Sequence, residues 1–355
     1  MSCEEDPVSI ILTPMAARTA FDDVEFPSFE SLPFRAGDPE GAIWGFYEKI
    51  SDATEPDELG SLNLLTPLRI LKAKEEIKLG KVCSLNWAVQ KPNPTGYRRM
   101  GLSHRAFQPR PERFVFDDEI HMNTQSGSQW DGFRHWAYYK TGQFYNGVSV
   151  NEFPSNDKTN LIPDSRTQTP LRNGIHKFQG KIVGRGVLLD FYAYAQAEGI
   201  AYQANDQYLL TAAQLDACAE AQGITFKQGD ILFVRMGWVH WHEHAAPKER
   251  WDTLIADTRA IGLRQDLEEV KWLWDHHFAA VACDAPAFEA RPTIQEWNLH
   301  DYLLALWGTP IGEFFDLEEL AETCKYTGRY TFFVTSSPLN VLNGIASPPN
   351  IMAIF

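Results

Sequence analysis

Apolar and polar positions alternate between two kinds of order along this chain. Apolar-rich runs of strand length occur at Lys181 to Asp190, Gly229 to Arg235 and Ala279 to Asp284. Such runs predict buried strands, the first ending in a carboxylate and the second delivering Arg235 and Gly237 to its end. Between them, apolar residues recur at helical spacing. The stretch from Pro67 to about Leu79 carries Ile70, Ala73 and Ile77 in step, with Thr66 placed as N-cap, Pro67 first and Gly80 as the stop. Thr211 to Gln222 predicts a helix whose Thr211 and Gln214 suit a capping box. Asp266 to Trp274 predicts an amphipathic helix with Leu267, Val270 and Trp274 on one face.

A helical turn is expected at Asp301 to Trp307, a helix at Leu317 to Cys324, and strands at Val82 to Val89, Tyr330 to Thr335 and Ile351 to Phe355. Residues 90–120, rich in Pro, Arg and Phe, read as a long loop or pocket cover, and 151–176 as a loop with a short helix. Residues 1–40 hold many Pro, Asp and Glu without periodicity and read as a leader lying over the body. The alternation of strands and helices predicts an α/β protein, with one domain over 41–355.

Composition narrows the class. The 355 residues, 44% hydrophobic and 22% charged, have ample length for a packed core. A net charge of −15 argues against a nucleic-acid partner. No cationic start leads into an apolar run and no 18-residue apolar stretch occurs, so neither a signal peptide nor a membrane span is expected. Five scattered cysteines without a CxxC suit reduced thiols and a cytoplasmic location. Phosphate-binding and nucleophile-elbow motifs are missing, and Gly184-x-Gly186 lacks a third glycine, so no nucleotide cofactor is expected.

The chemistry concentrates at Gln125-Ser126-Gly127-Ser128-Gln129-Trp130-Asp131-Gly132-Phe133-Arg134-His135. As a strand, this segment would put 125, 129, 131 and 135 on one face, a converging set of amides, carboxylate and imidazole. Each of these side chains is a capable metal ligand, the oxygen donors favouring harder ions. A satisfied polar loop is the plain alternative. Trp130, Trp136 and Tyr145 lie in or beside the segment and His104 and His121 just before it, making them candidate substrate contacts. His240, His242 and His244 read as a solvated surface cluster, and His276-His277 as an exposed helix end.

This segment resembles the signature of the cyclase family that includes bacterial kynurenine formamidase and isatin hydrolase. That signature, His-x-Gly-Thr-His-x-Asp-x-x-x-His, is met at Gly127, Asp131 and His135, conservatively at Ser128, and broken at Gln125 and Gln129, where the family has two metal-binding histidines. The segments around His300 and Glu313 are similar to later blocks of the family. So are Gly60 to Pro67, Gly229 to Leu232 and Val281 to Pro286, while Ser337 to Pro349 is similar to the longer eukaryotic-type members. The resemblance implies a swivelling β/β/α fold with a mixed central sheet and outer helices, and a homodimer or homotetramer.

It also implies a site built from Asp131, His300 and Glu313, assisted by Gln129 and Gln125, around one divalent ion (Mn, Zn or Mg), with Asp131 and His135 in catalytic roles. The reaction so implied is hydrolysis of a small molecule: a cyclic amide, a lactone or an aryl formamide. The two glutamines leave open a metal-free cyclase or dehydratase, and a binding protein that kept only the pocket. A neutral amide is a poor zinc ligand, so zinc loses more by these exchanges than manganese or magnesium.

Overall fold

The computed structural model describes residues 19–152, 171–256 and 258–355. A nine-stranded mixed sheet forms its centre. In chain order the strands are β1 (Val82–Ser84), β2 (Gln129–Asp131), β3 (Ile182–Leu189), β4 (Ile231–Val234), β5 (Ala280–Cys283), β6 (Ile311–Glu313), β7 (Thr331–Ser336), β8 (Ala346–Ser347) and β9 (Ile351–Ile354). They lie side by side as β1-β9-β7-β3-β4-β5-β6-β2-β8. The central four, β3 to β6, are parallel, and the strands on either flank pair antiparallel. Every residue of β4 and β5 is buried, as expected for parallel strands covered on both faces.

Outside the sheet lie α1 (Pro67–Ala73), α2 (Phe191–Glu198), α3 (Ala212–Ala221), α4 (Trp238–His244), α5 (Leu267–His276) and α6 (Glu318–Thr327). Local chemistry sets several of their starts. The Thr66 hydroxyl accepts from the Arg69 amide at 3.2 Å, Asp190 accepts from the Ala193 amide at 3.1 Å, and the capping box of Thr211 and Gln214 is complete. One hydrophobic cluster runs from Phe21 to Phe355. Residues 19–40 contribute Phe21, Val24 and Leu32 to it, and Trp274 of α5 donates to the Pro27 carbonyl at 3.0 Å. Among the described residues, no helix is long and apolar enough to cross a membrane.

Several expectations need correcting. The helix after Pro67 ends at Ala73 and tightens into a 3-10 turn over Lys74–Glu76, leaving Ile77 exposed. β1 stops at Ser84: the Leu85 amide still donates to the Ile351 carbonyl at 3.2 Å, and beyond it the Asn86 side chain, not its backbone, bonds both polar groups of Ile351, each at 3.1 Å. On α5, Val270 and Trp274 are buried as the pattern predicts, but Leu267 is exposed and Glu269 is buried as well, held by Arg264 at 2.9 Å. His242 is fully buried rather than solvated, since α4 turns it inward among Trp87, Trp238 and Trp241. His276 and His277 are half-buried, and His277 stacks on Phe26 at 4.0 Å. Most of the 151–176 loop lies outside the described residues. Within 90–120, Ser103–Phe107 pairs with Asp117–His121 in an exposed hairpin.

Candidate functional site

β2 and β6 build the site by register. Their antiparallel pairing sets Gln129 opposite Glu313 and Asp131 opposite Ile311. Strand alternation then puts Gln129 and Asp131 on one face and turns Trp130 to the other. Gly127 allows the preceding turn to press against the chain, because a Cβ there would stand 2.4 Å from the Lys91 carbonyl oxygen. His300 enters from a third direction, at the head of Asp301–Trp307, which is wound as a π-helix. Such widened turns recur at functional sites.

Asp131, His135 and His300 each offer one ligand-capable atom, and these atoms all lie within 4.8 Å of one another. Asp131 Oδ2 lies 3.8 Å from His135 and 3.9 Å from His300. Asp131 is completely buried, and this oxygen has no hydrogen-bond partner. A buried carboxylate oxygen left unpaired costs on the order of 1–3 kcal/mol or more, so such an atom calls for an explanation.

The glutamines surround the other oxygens. Gln125 Nε2 donates to Asp131 Oδ1 at 2.6 Å and approaches His135 Nδ1 at 3.1 Å. Gln129 Nε2 donates to Glu313 Oε2 at 2.7 Å and lies 3.4 Å from Asp131 Oδ1. Arg99 donates to the Gln125 carbonyl at 2.6 Å and meets Gln129 Oε1 at 3.5 Å. Both amides therefore turn nitrogen toward the carboxylates. In this arrangement the amide NH2 groups of Gln125 and Gln129 act as hydrogen-bond donors to the carboxylates. By donating to His135 Nδ1, Gln125 also selects the neutral tautomer that carries its proton on Nε2.

Beyond His300 stands Glu289, whose two oxygens each lie 2.8 Å from His300 Nδ1. Arg291 supports Glu289 at 3.3 Å, and His300 Nε2 lies 3.4 Å from Glu313. Burial lowers the pKa of His300, but Glu289 and Glu313 outweigh it and push the group up to about 10. Burial raises Glu313, and the Asp131 charge adds to the rise. His135 moves down, again through burial, with Asp131 opposing. At neutral pH without a cation, His300 is an imidazolium held on Glu289, and His135 is a neutral imidazole.

The structure thus brings Asp131, His135, His300, Glu313, Gln125 and Gln129 into one cluster. Trp136 borders it, its ring 5.2 Å from that of His300. The other proposed substrate contacts lie elsewhere. Trp130 is buried on the far side of β2, against Phe315 and bonded to Ser336, and Tyr145 is buried with its hydroxyl on Asp57. His104 and His121 sit on the exposed hairpin, His104 paired with Asp118 at 2.9 Å. Sequence reasoning missed Glu289 and Arg99. A lone Glu in the apolar run Ala287-Phe288-Glu289-Ala290 was a readable signal; Arg99 had none.

A family model described as "Putative cyclase" matches residues 51–290. The chain belongs to the cyclase family. A crystal structure of a novel cyclase is 29% identical to this family member, covers 84% of it and 96% of its own chain, and superposes with a TM-score of 0.73. Isatin hydrolase A from Labrenzia aggregata, solved with benzyl benzoate, is 14% identical with a TM-score of 0.53, covering 77% and 93% of the two chains. Isatin hydrolase A from Ralstonia solanacearum is 16% identical with a TM-score of 0.53 over 81% and 97%. At these identities the two hydrolases share the fold. No curated protein matches the chain in sequence.

The residues present fit a divalent ion. The unpaired Asp131 oxygen faces the Nε2 of His300, whose Nδ1 is anchored on Glu289, the carboxylate–imidazole arrangement that orients metal-binding histidines. A carboxylate and imidazoles on one side of a site with open positions suit several divalent metals.

Proposed function

We propose that this cyclase-family chain hydrolyses a cyclic amide, a lactone or an aryl formamide with the help of one divalent ion. The observation that carries the reading is the buried, unpartnered Asp131 Oδ2 facing two imidazole nitrogens. Asp131 and His300 would hold the ion, with Glu313 beside His300. When bound, such an ion polarises a carbonyl and makes water a nucleophile near neutral pH. The chain's own groups supply the rest. His135, neutral and carrying its proton on Nε2, would give a proton to a leaving nitrogen or oxygen. Gln125 holds that tautomer, and Glu289 fixes the His300 ring. Gln129 orders Glu313 and Asp131 through its amide hydrogens.

One observation favours a second reading. Held between Glu289 and Glu313, the His300 proton supplies positive charge where an ion would otherwise do so. A metal-free cyclase or dehydratase would use that imidazolium as an acid, with Asp131, His135 and Glu313 sharing the remaining acid/base chemistry.

Elemental analysis of untagged protein purified without chelator tests the choice, alongside Asp131→Ala and His300→Ala. About one equivalent of metal, lost in both variants, with chelator-sensitive hydrolysis of a lactone, cyclic imide and aryl formamide panel, is expected. No metal after soaking in manganese or zinc refutes the ion-assisted reading. Turnover that survives chelation establishes the metal-free enzyme. Ligand binding without turnover leaves a binding protein.

A further inference from the structure

Arg99 stands apart from the cations around it. Lys91 is paired with Glu243 at 2.8 Å and Arg291 with Glu289 at 3.3 Å. Arg99 has no carboxylate partner among the described residues. Its Nη1 bonds the Gln125 carbonyl and meets Gln129 Oε1, no hydrogen bond is made by Nε or Nη2 among the described residues, and the residue is half-exposed. Its face lies over the Tyr97 ring, 5.1 Å from the centroid. Tyr97 and Arg98 both adopt positive φ, 56° each. Two consecutive non-glycine residues in this conformation are costly, and strain of this kind gathers where a side chain must be aimed.

The connection to the buried groups is direct. Gln129, which holds Arg99 through its oxygen, holds Glu313 and Asp131 through its nitrogen. Arg99 is therefore fixed to the same amide that orders the carboxylates, a hydrogen-bond chain away from Asp131. A planar guanidinium with one edge anchored and the other open is suited to take a carboxylate through paired N–H groups.

We propose that Arg99 is the anion-reading residue of this site and that the substrate carries a carboxylate near the bond to be broken. This deepens the hydrolase reading, and rests on it, by naming an acidic cyclic amide, lactone or formamide as the substrate class. The anchored Nη1 sets the position of the fork, and Tyr97 backs its face. The open N–H groups then orient the acid so that its reacting carbonyl lies toward Asp131, His135 and His300.

Calorimetric titration of the full chain with benzoate and with its neutral isostere benzamide tests the assignment. Benzoate is expected to bind more tightly than benzamide by roughly 10- to 100-fold, the value of a charged hydrogen-bond pair. Arg99→Gln should abolish that preference by weakening benzoate far more than benzamide, and Arg99→Lys should restore part of it. Equal binding of the two probes, no binding of benzoate, or a preference unchanged in Arg99→Gln would overturn the proposal. Its failure is separable from failure of the hydrolase reading. An Arg99-dependent preference with no turnover on the panel sustains the anion site and removes the hydrolase. Equal turnover of neutral and acidic members, unaffected by Arg99→Gln, does the opposite.

Discussion

Acidification should weaken this fold through His242, and the effect can be isolated. The side chain is completely buried, with neither ring nitrogen at hydrogen-bond geometry to a partner. The ring of Trp87 meets it edge-on at 4.7 Å and that of Trp238 stacks at 5.5 Å. Burial is the main cause that pushes its pKa down to about 4 from 6.5, with Arg250 and Lys91 adding to the fall and Glu243 and the Asn93 backbone opposing it. Between those two values the unfolded chain binds the proton and the folded chain does not. The contribution of neutral His242 is therefore fully present above pH 6.5 and is lost as pH falls toward 4.

At about 1.4 kcal/mol per pH unit, and discounted for residual screening, about 2 kcal/mol should disappear between pH 7 and pH 4.5. Urea unfolding of the wild type and of His242→Phe at both pH values gives the test as a double difference. Other titrating groups cancel from it. Phe is close in shape and needs no partner, so the variant should be near-neutral at pH 7 and less sensitive to acid. A double difference under roughly 0.5 kcal/mol, the scatter of such measurements, would refute the reasoning.

Two further expectations follow from the site and from the surface. Replacing Gln129 with His should raise zinc affinity by at least about 10-fold, because an imidazole would replace a group that presents only hydrogens to Asp131 and Glu313; an unchanged Kd in competition with a chromophoric chelator would show that the amide already ligates. The hairpin Ser103–Phe107/Asp117–His121 leaves Phe114, Phe116 and Ile120 at 99%, 69% and 61% exposure, and an isolated two-stranded hairpin is marginal in water. The chain is accordingly expected to sediment as a homodimer or homotetramer that Phe114→Ser/Phe116→Ser weakens, and a wild-type monomer at micromolar concentration would contradict this.

What could be read from residue order was local. Thr66 with Pro67, and Thr211 with Gln214, mark helix starts because caps satisfy free backbone N–H groups within three residues. The apolar runs that became β4 and β5 are buried at every position, so continuous hydrophobicity was sufficient to announce them, while β3 alternates in its first half before its buried Val187-Leu188-Leu189 end. The spacing of Gly127, Asp131 and His135, with the blocks around His300 and Glu313, pointed to the cyclase family.

Tertiary structure decided the rest, through contacts between residues far apart in the chain. The register of β2 against β6 put Gln129 beside Glu313, 184 positions away, and turned Trp130 into the core. Arg99, arriving from 30 residues upstream, turned the Gln129 amide so that nitrogen rather than oxygen faces the carboxylates. Glu289 acquired its role only when the segment before the π-helix folded back onto His300. Capping and periodicity act through backbone hydrogen bonds a few residues long, which the sequence carries directly. The direction of an amide, the tautomer of a histidine and the partner of a buried charge depend on what the completed fold places around them.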